Sequence, residues 1–182
     1  GPRLVILNTV QSAAVLADAF EKCFGRKQVE HLSTALTAID REKTLERVRE
    51  RLSAPNDDKD WTFIATSCVE AGVDLSFRTG FRELGSLVSL LQASGRVNRN
   101  GQFIAAEMWT FCLAPDHMMK ENPGMKDSSE VLRGYIEQGT EISPMLSTQS
   151  IADEIRLNGV NSKYKELLAQ ESANSFRSVE SG

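Results

Sequence analysis

With 182 residues, 41% of them apolar and 25% charged, the chain is sized for one globular domain with room for a helical appendage. No run approaches the ~18 consecutive apolar residues of a membrane span and no secretory leader is visible, so a cytoplasmic protein that meets no membrane is expected. A net charge of −4 excludes nucleic-acid binding through bulk positive charge, and any such binding has to come from a local site.

Gly1 and Pro2, with no initiator methionine, read as residual cloning sequence ahead of a piece cut from a longer protein. The apolar run "LVIL" at 4–7 predicts a strand. Val10, Ala13, Ala14, Ala17, Phe20 and Phe24 then recur at helical spacing and predict a helix ending near Gly25. "VEHL" at 29–32 predicts a second strand. Thr37 with Asp40 three residues on marks the start of a second helix, whose buried face is Leu45, Val48 and Leu52 and which Ala54-Pro55 stops. "FIA" at 63–65 predicts a third strand. Glu70, Gly72 and Asp74 fall in an irregular stretch, "VEAGVDLSF", with Gly72 as a turn. Ser86 predicts the cap of a short helix that carries Leu87, Leu90 and Leu91 inward and ends at Gly95. "EMWTFCL" at 107–113 predicts a strand buried on both faces, because it alternates poorly. From about 116 on, a loop and short helices are expected, with apolar positions at Val131, Leu132, Tyr135, Ile136, then Ile151 and Ile155, then Tyr164, Leu167 and Leu168. Strands alternating with helices imply an α/β domain over 1–115, a mostly parallel central sheet with helices on both faces, and a helical C-terminal extension over 116–182.

Each of the first three strands is followed by small polar residues: Asn8-Thr9, Ser33-Thr34 and Thr66-Ser67. In a parallel sheet these emerge at the carboxyl ends of the strands, where open α/β sheets bind ligands. Hydroxyl and amide groups there suit phosphate oxygens. They are also the preferred helix caps, and a single residue can serve both roles.

"LLQASGRVNRNG" at 90–101 sets Gln92, Arg96 and Arg99 among small residues, ahead of a tight turn at Asn100-Gly101. Arginine keeps its charge and presents a planar fork of donors that matches phosphate. Two of them beside Gly95 form a candidate phosphate clamp on the same rim as the hydroxyl turns. Spacing alone leaves open the other reading, a solvated helix end complementing the helix dipole.

"QASGRVNR" at 92–99 resembles the last conserved motif of superfamily 2 helicases, Q-x-x-G-R-x-x-R. "ATSCVEAGVDL" at 65–75 resembles the motif before it, and "VILNT" at 5–9 the strand motif that opens their second RecA-like domain. The three stand in the right order. The Arg-x-Asn-Arg spacing, the trailing Gly101, "HLST" at 31–34 and the tail "KELLAQESANSFRSVE" are similar to the CRISPR-associated helicase-nuclease of type I systems. The resemblance implies a RecA-like three-layer domain, the C-terminal half of an ATP-dependent helicase motor acting in CRISPR interference. It implies Arg96 and Arg99 reaching the γ-phosphate across an interdomain cleft, with Arg99 as the arginine finger, and Gln92 coupling that phosphate to the nucleic-acid side. Asp74 would touch the ribose and Gly72 would let the backbone approach the nucleotide. Asn8, Thr9, Ser33, Thr34 and Thr66 would grip the backbone of single-stranded DNA. One departure is Ala93, where these helicases often have an arginine.

No G-x-x-x-x-G-K-[ST] phosphate loop is present, and "ADEIR" at 152–156 has the spacing of a surface helix, not of a metal-binding carboxylate pair on a buried strand. His31 and His117 are the two histidines, too few for a metal-dependent nuclease centre, and no metal site is expected. Cys23, Cys68 and Cys112 form no C-x-x-C pair, which indicates neither a zinc cluster nor a disulfide framework. ATP and Mg²⁺ would therefore be held mainly by a first RecA-like domain of the same parent chain, and this fragment alone is not expected to hydrolyse ATP. A CRISPR RNA-guided surveillance complex is a further partner that the resemblance implies. Two rivals stand beside this reading. One is an RNA helicase or restriction-type translocase domain. The other is a non-catalytic α/β module whose arginines bind a phosphorylated or acidic partner.

Overall fold

The computed structural model describes residues 1–54, 60–70, 73–114, 117–157 and 169. Five parallel strands, β1 (Arg3–Leu7), β2 (Val29–Leu32), β3 (Thr62–Thr66), β4 (Thr79–Glu83) and β5 (Glu107–Phe111), form one sheet in the order β2-β3-β1-β4-β5. Helix α1 (Val10–Phe24) lies on one face. Helices α2 (Ala38–Ser53) and α3 (Leu87–Ser94) lie on the other. The alternation of strand side chains divides the core accordingly. Val5, Leu7 and Ile64 meet Ala13 and Ala17 of α1, while Leu4, Ile6, Phe63 and Ala65 meet Val48 of α2 and Ala93 of α3.

Local chemistry sets the helix ends. The Thr9 hydroxyl accepts from the Ser12 amide, Thr37 from Asp40 and Ser86 from Ser89, each satisfying an amide that the helix leaves without a partner. α1 stops at Gly25, whose φ of 92° suits a residue without Cβ. Ala14 and Phe24, expected on the buried face of α1, are exposed, because one face of a helix on a flat sheet is covered only along a narrow stripe.

Two strand expectations need correction. The sequence predicts no strand over 79–83, where a glycine and two charged residues interrupt the apolar pattern, yet β4 forms there. β5, expected to be buried on both faces, is the edge strand and pairs only with β4. Its Trp109 is exposed, so its poor alternation reflects partial solvation of both faces.

Beyond β5 come helices α4 (Lys126–Glu137) and α5 (Ser147–Leu157). Leu132 of α4 joins Leu84, Leu87 and Leu90 in one apolar cluster, so α4 packs on α3. Ile136, Ile151 and Ile155 are exposed, and α5 buries Ser150. Tyr164, Leu167 and Leu168 lie outside the described residues. No helix among the described residues is long and apolar enough to cross a membrane.

Candidate functional site

The parallel register brings the ends of β1, β2 and β3 level: Leu7 pairs with Thr66, and Leu32 with Ala65. The hydroxyl turns that follow therefore do share one rim. Their side chains are not equally available. Thr34 is exposed. Ser33 is fully buried, its Oγ without a hydrogen-bond partner among the described residues. Thr66 is buried and its hydroxyl donates to Cys68 Sγ at 3.3 Å. Asn8 is half-buried and turned back into the protein. Its amide Nδ2 donates to the Leu84 carbonyl at 2.9 Å and its Oδ1 accepts from Arg82 at 2.6 Å. Thr9 caps α1 and also donates to the Lys120 carbonyl at 3.3 Å. The loop after β5 crosses here, with Gln11 bonded to the Met118 carbonyl and Asn122 to that of Asn8. Of the five residues read as strand contacts, Thr34 is the exposed one. The others have been drawn into capping and packing, the competing role that Ser, Thr and Asn side chains carry.

The arginines stand elsewhere than the sequence suggests. The short helix α3 runs back against β4, so the residues after Gly95 return to the amino end of the sheet. Val97 bridges Phe77, two positions ahead of β4, with Phe77 N donating to the Arg96 carbonyl at 2.8 Å and Asn98 N to that of Phe77 at 2.7 Å. The expected single rim is two places: hydroxyl turns at the carboxyl ends of the strands, and an arginine loop at the amino end of β4. Gly72, within the sequence stretch 69–77, lies outside the described residues.

Packing fixes the loop. Phe77 is fully buried, edge-on to Trp61 with ring centroids 5.9 Å apart and stacked on Phe63 at 6.1 Å. Gly80 lies beneath the loop, and a Cβ there would meet Met108 Sδ at 2.6 Å and Val97 Cγ2 at 2.7 Å, so a larger residue would have to displace both side chains. Asn98 takes φ 51°, a conformation asparagine tolerates, and its side chain both donates to and accepts from the Phe103 backbone at 2.9 Å. Gly101 N then closes a turn onto the Asn98 carbonyl.

Within this loop the two arginines part. Arg96 is buried, and its Nε and Nη2 donate to the carbonyls of Val69 and Glu70 at 2.9 and 2.7 Å. Burial, and next the nearby Arg99, make its charge costlier than usual, and the two carbonyls hold it. Arg96, expected to reach a phosphate, directs Nε and Nη2 into the protein, while Nη1 approaches the Gly95 carbonyl at 3.5 Å. Arg99, at the tip of the turn, keeps a side chain 41% exposed. Its Nε lies 3.2 Å from the carboxylate of Asp74, itself 79% exposed, and Nη1 approaches the Val73 carbonyl at 3.5 Å. An exposed pair of this kind is held weakly. Gln92, on the last turn of α3, is also exposed. Arg99, Asp74 and Gln92 thus present one cation, one carboxylate and one amide to solvent near a rigid turn. That set fits a polyanion whose phosphate takes the guanidinium and whose hydroxyls take the carboxylate.

Sequence reasoning missed a charged cluster behind the site. Arg82 on β4 is 1% exposed, and its Nε lies 2.8 Å from Glu70 Oε1, misaligned for a hydrogen bond, so charge attraction holds the pair. Glu83, also buried, accepts from the Asn8 amide at 2.7 Å. Burial pushes both Glu70 and Glu83 above the usual carboxylate range; Arg82 opposes this for Glu70, and the Asn8 amide bond foremost for Glu83. The available signal was the pair of charges in "TGFRE", set between Phe81 and Leu84 where solvated residues do not belong. His31 sits on β2 with Nε2 buried, Asp153 and Glu154 lie on α5, and no metal-binding group of His, Cys, Asp or Glu occurs among the described residues.

Residues 1–102 match the family model described as CRISPR-associated nuclease/helicase Cas3, C-terminal. The CRISPR-associated nuclease/helicase Cas3 of Haloferax volcanii is 38% identical over 87 residues, which is 44% of this chain and 8% of that protein. In structure the chain is similar to T. fusca Cas3 with AMPPNP, at TM-score 0.69 and 15% identity over 95% of this chain and 22% of that one. It is also similar to a chain of a pre-nicking CRISPR RNA-guided surveillance complex, at 0.63 and 15% over 94% and 23%. At such identities these likenesses bear on the fold, and the chain spans less than a quarter of each relative's length.

Proposed function

This chain belongs to the Cas3-like C-terminal family of CRISPR-associated nuclease/helicases, and from that premise we propose that it is the second RecA-like domain of an ATP-dependent DNA helicase motor, residues 1–115, with 116–182 as its extension. The observation that supports this most is Arg99: a guanidinium half in solvent, on a turn locked by Phe77 and Asn98, opposed among the described residues by the exposed carboxylate of Asp74. A neighbouring P-loop domain of the same parent would hold ATP and Mg²⁺. Arg99 would then neutralise charge building on the transferred phosphoryl oxygens, Asp74 would meet the ribose, and Gln92 would relay between nucleotide and strand. Arg96 works indirectly, holding Val69 and Glu70 against the loop. Single-stranded DNA would pass over the carboxyl-end rim, meeting Thr34 and the half-buried edges of Asn8 and Thr9, while Ser33 and Thr66 shape that rim from beneath. Such contacts position a strand without reading its sequence. A CRISPR RNA-guided surveillance complex is the proposed source of that strand, since one solved relative sits in such a complex.

Hydrolysis of ATP with and without single-stranded DNA tests this. The isolated chain is expected to be silent, and the parent to hydrolyse with stimulation by strand. Robust Mg²⁺-dependent turnover by the isolated chain contradicts a site shared between two domains.

A further inference from the structure

Resting on that reading, we propose that Arg82 is a positioning residue that joins the strand-binding rim to the arginine loop, so that engagement of a strand is felt at the nucleotide. No motif of the sequence marks it. Its place in the fold does. Arg82 lies where three segments meet, the tip of β1, the end of β4 and the segment 69–74. Nη1 donates to Asn8 Oδ1 at 2.6 Å and to the Glu83 carbonyl at 3.0 Å, while Nε faces the Glu70 carboxylate at 2.8 Å. The Glu70 carbonyl in turn accepts from Arg96 at 2.7 Å, and three residues on Val73 and Asp74 meet Arg99. Polar contacts therefore run from Asn8 through Arg82 and Glu70 to Arg96 in the arginine loop, and among the described residues Arg82 is the side chain that touches both Asn8 and Glu70.

Stability does not account for this arrangement. Desolvating two charges costs about as much as their attraction returns, and an apolar pair of similar volume is often as stable or more so. Arg82 Nη2 has no hydrogen-bond partner among the described residues, so the cluster is not even fully satisfied. A planar fork with separate donors is what reaching Asn8 and Glu70 together requires, and lysine cannot supply it. A contact path becomes coupling only if perturbing it changes one site's response to the other.

The test is ATP hydrolysis by the full-length parent, read as the ratio of strand-stimulated to basal kcat, with the ATP KM and the Kd for a fluorescent oligodeoxythymidine. The double variant Arg82→Met, Glu70→Leu removes the pair without leaving a lone buried charge. Arg82→Lys keeps the charge and loses the fork, and covers the case in which the double variant does not fold. Either variant is expected to lower the ratio by roughly 5–150-fold, the range of coupling between sites, with KM and Kd within about threefold of wild type. An unchanged ratio in the folded variants overturns the proposal, and so does a loss of KM and Kd in step with kcat, the mark of a merely structural role. Absence of strand stimulation in the wild type overturns the motor reading itself, and the role of Arg82 with it.

Discussion

Arg96 and Arg99 are three positions apart and have opposite surroundings. Arg96 satisfies two buried carbonyls, so Arg96→Ala is expected to destabilise the domain by about 1–3 kcal/mol, the cost of leaving such acceptors without donors. Arg99→Ala, which removes an exposed pair with Asp74, is expected to change stability by less than about 1 kcal/mol. Denaturant melts of the two variants check this, and equal losses would mean that Arg99 is also structural. His31 offers a second check through pH. Burial pulls its imidazole below the ordinary 6.5, with Glu21 opposing. As pH falls through 6.5 the unfolded chain therefore takes up the proton first, so the stability tied to neutral His31 is full above 6.5 and is lost toward the lower folded value. His31→Gln is expected to flatten the fall in unfolding free energy below pH 6.5 relative to wild type. Glu70 and Glu83, raised by burial, act in the opposite sense and are common to both proteins, so the difference between the two curves isolates His31.

At the scale of elements, what could be read from the sequence was what local chemistry decides. Thr9, Thr37 and Ser86 are recognisable as caps because a short hydroxyl beside an apolar period has that use. Thr37→Ala is expected to cost about 1 kcal/mol without changing the denaturant slope, since α2 loses the acceptor of its Asp40 amide and the hydroxyl bond to Asp40 Oδ2 at one exposed cap. An unchanged midpoint would show that α2 is held by Val48 and its neighbours alone. β4 was illegible because its charges meet residues distant in sequence, Glu70 and Asn8, which no window of neighbours reveals. The edge position of β5 was illegible for a related reason, since strand order is decided by tertiary pairing. The motif residues of the site were visible, yet their exposure was not. Ser33, Thr66 and Arg96 are of the same types as Thr34 and Arg99, and only packing separates those in solvent from those in the core.

For the molecule as a whole, the structure replaces one phosphate-facing rim with two loci. They stand at opposite ends of β4, a strand of five residues, hence on the order of 15 Å apart. That separation suits a motor better than a single rim would. On the proposed reading a nucleotide would lie at the amino end of β4 and a strand across the carboxyl ends, on different surfaces, with Val69 and Glu70, bonded to Arg96, and Phe77, bonded to the loop, between them. The apolar clusters on the two faces of the sheet supply the rigidity against which these residues can shift.

The most direct test of Arg99 as the charge brought to the nucleotide is Arg99→Ala in the parent protein, with ATP turnover and single-strand affinity measured on the same preparation. Turnover is predicted to fall by about 10³-fold or more, the contribution of an arginine finger, while strand affinity stays within a few-fold of wild type. Turnover that survives, or strand affinity that collapses alongside it, would contradict the account.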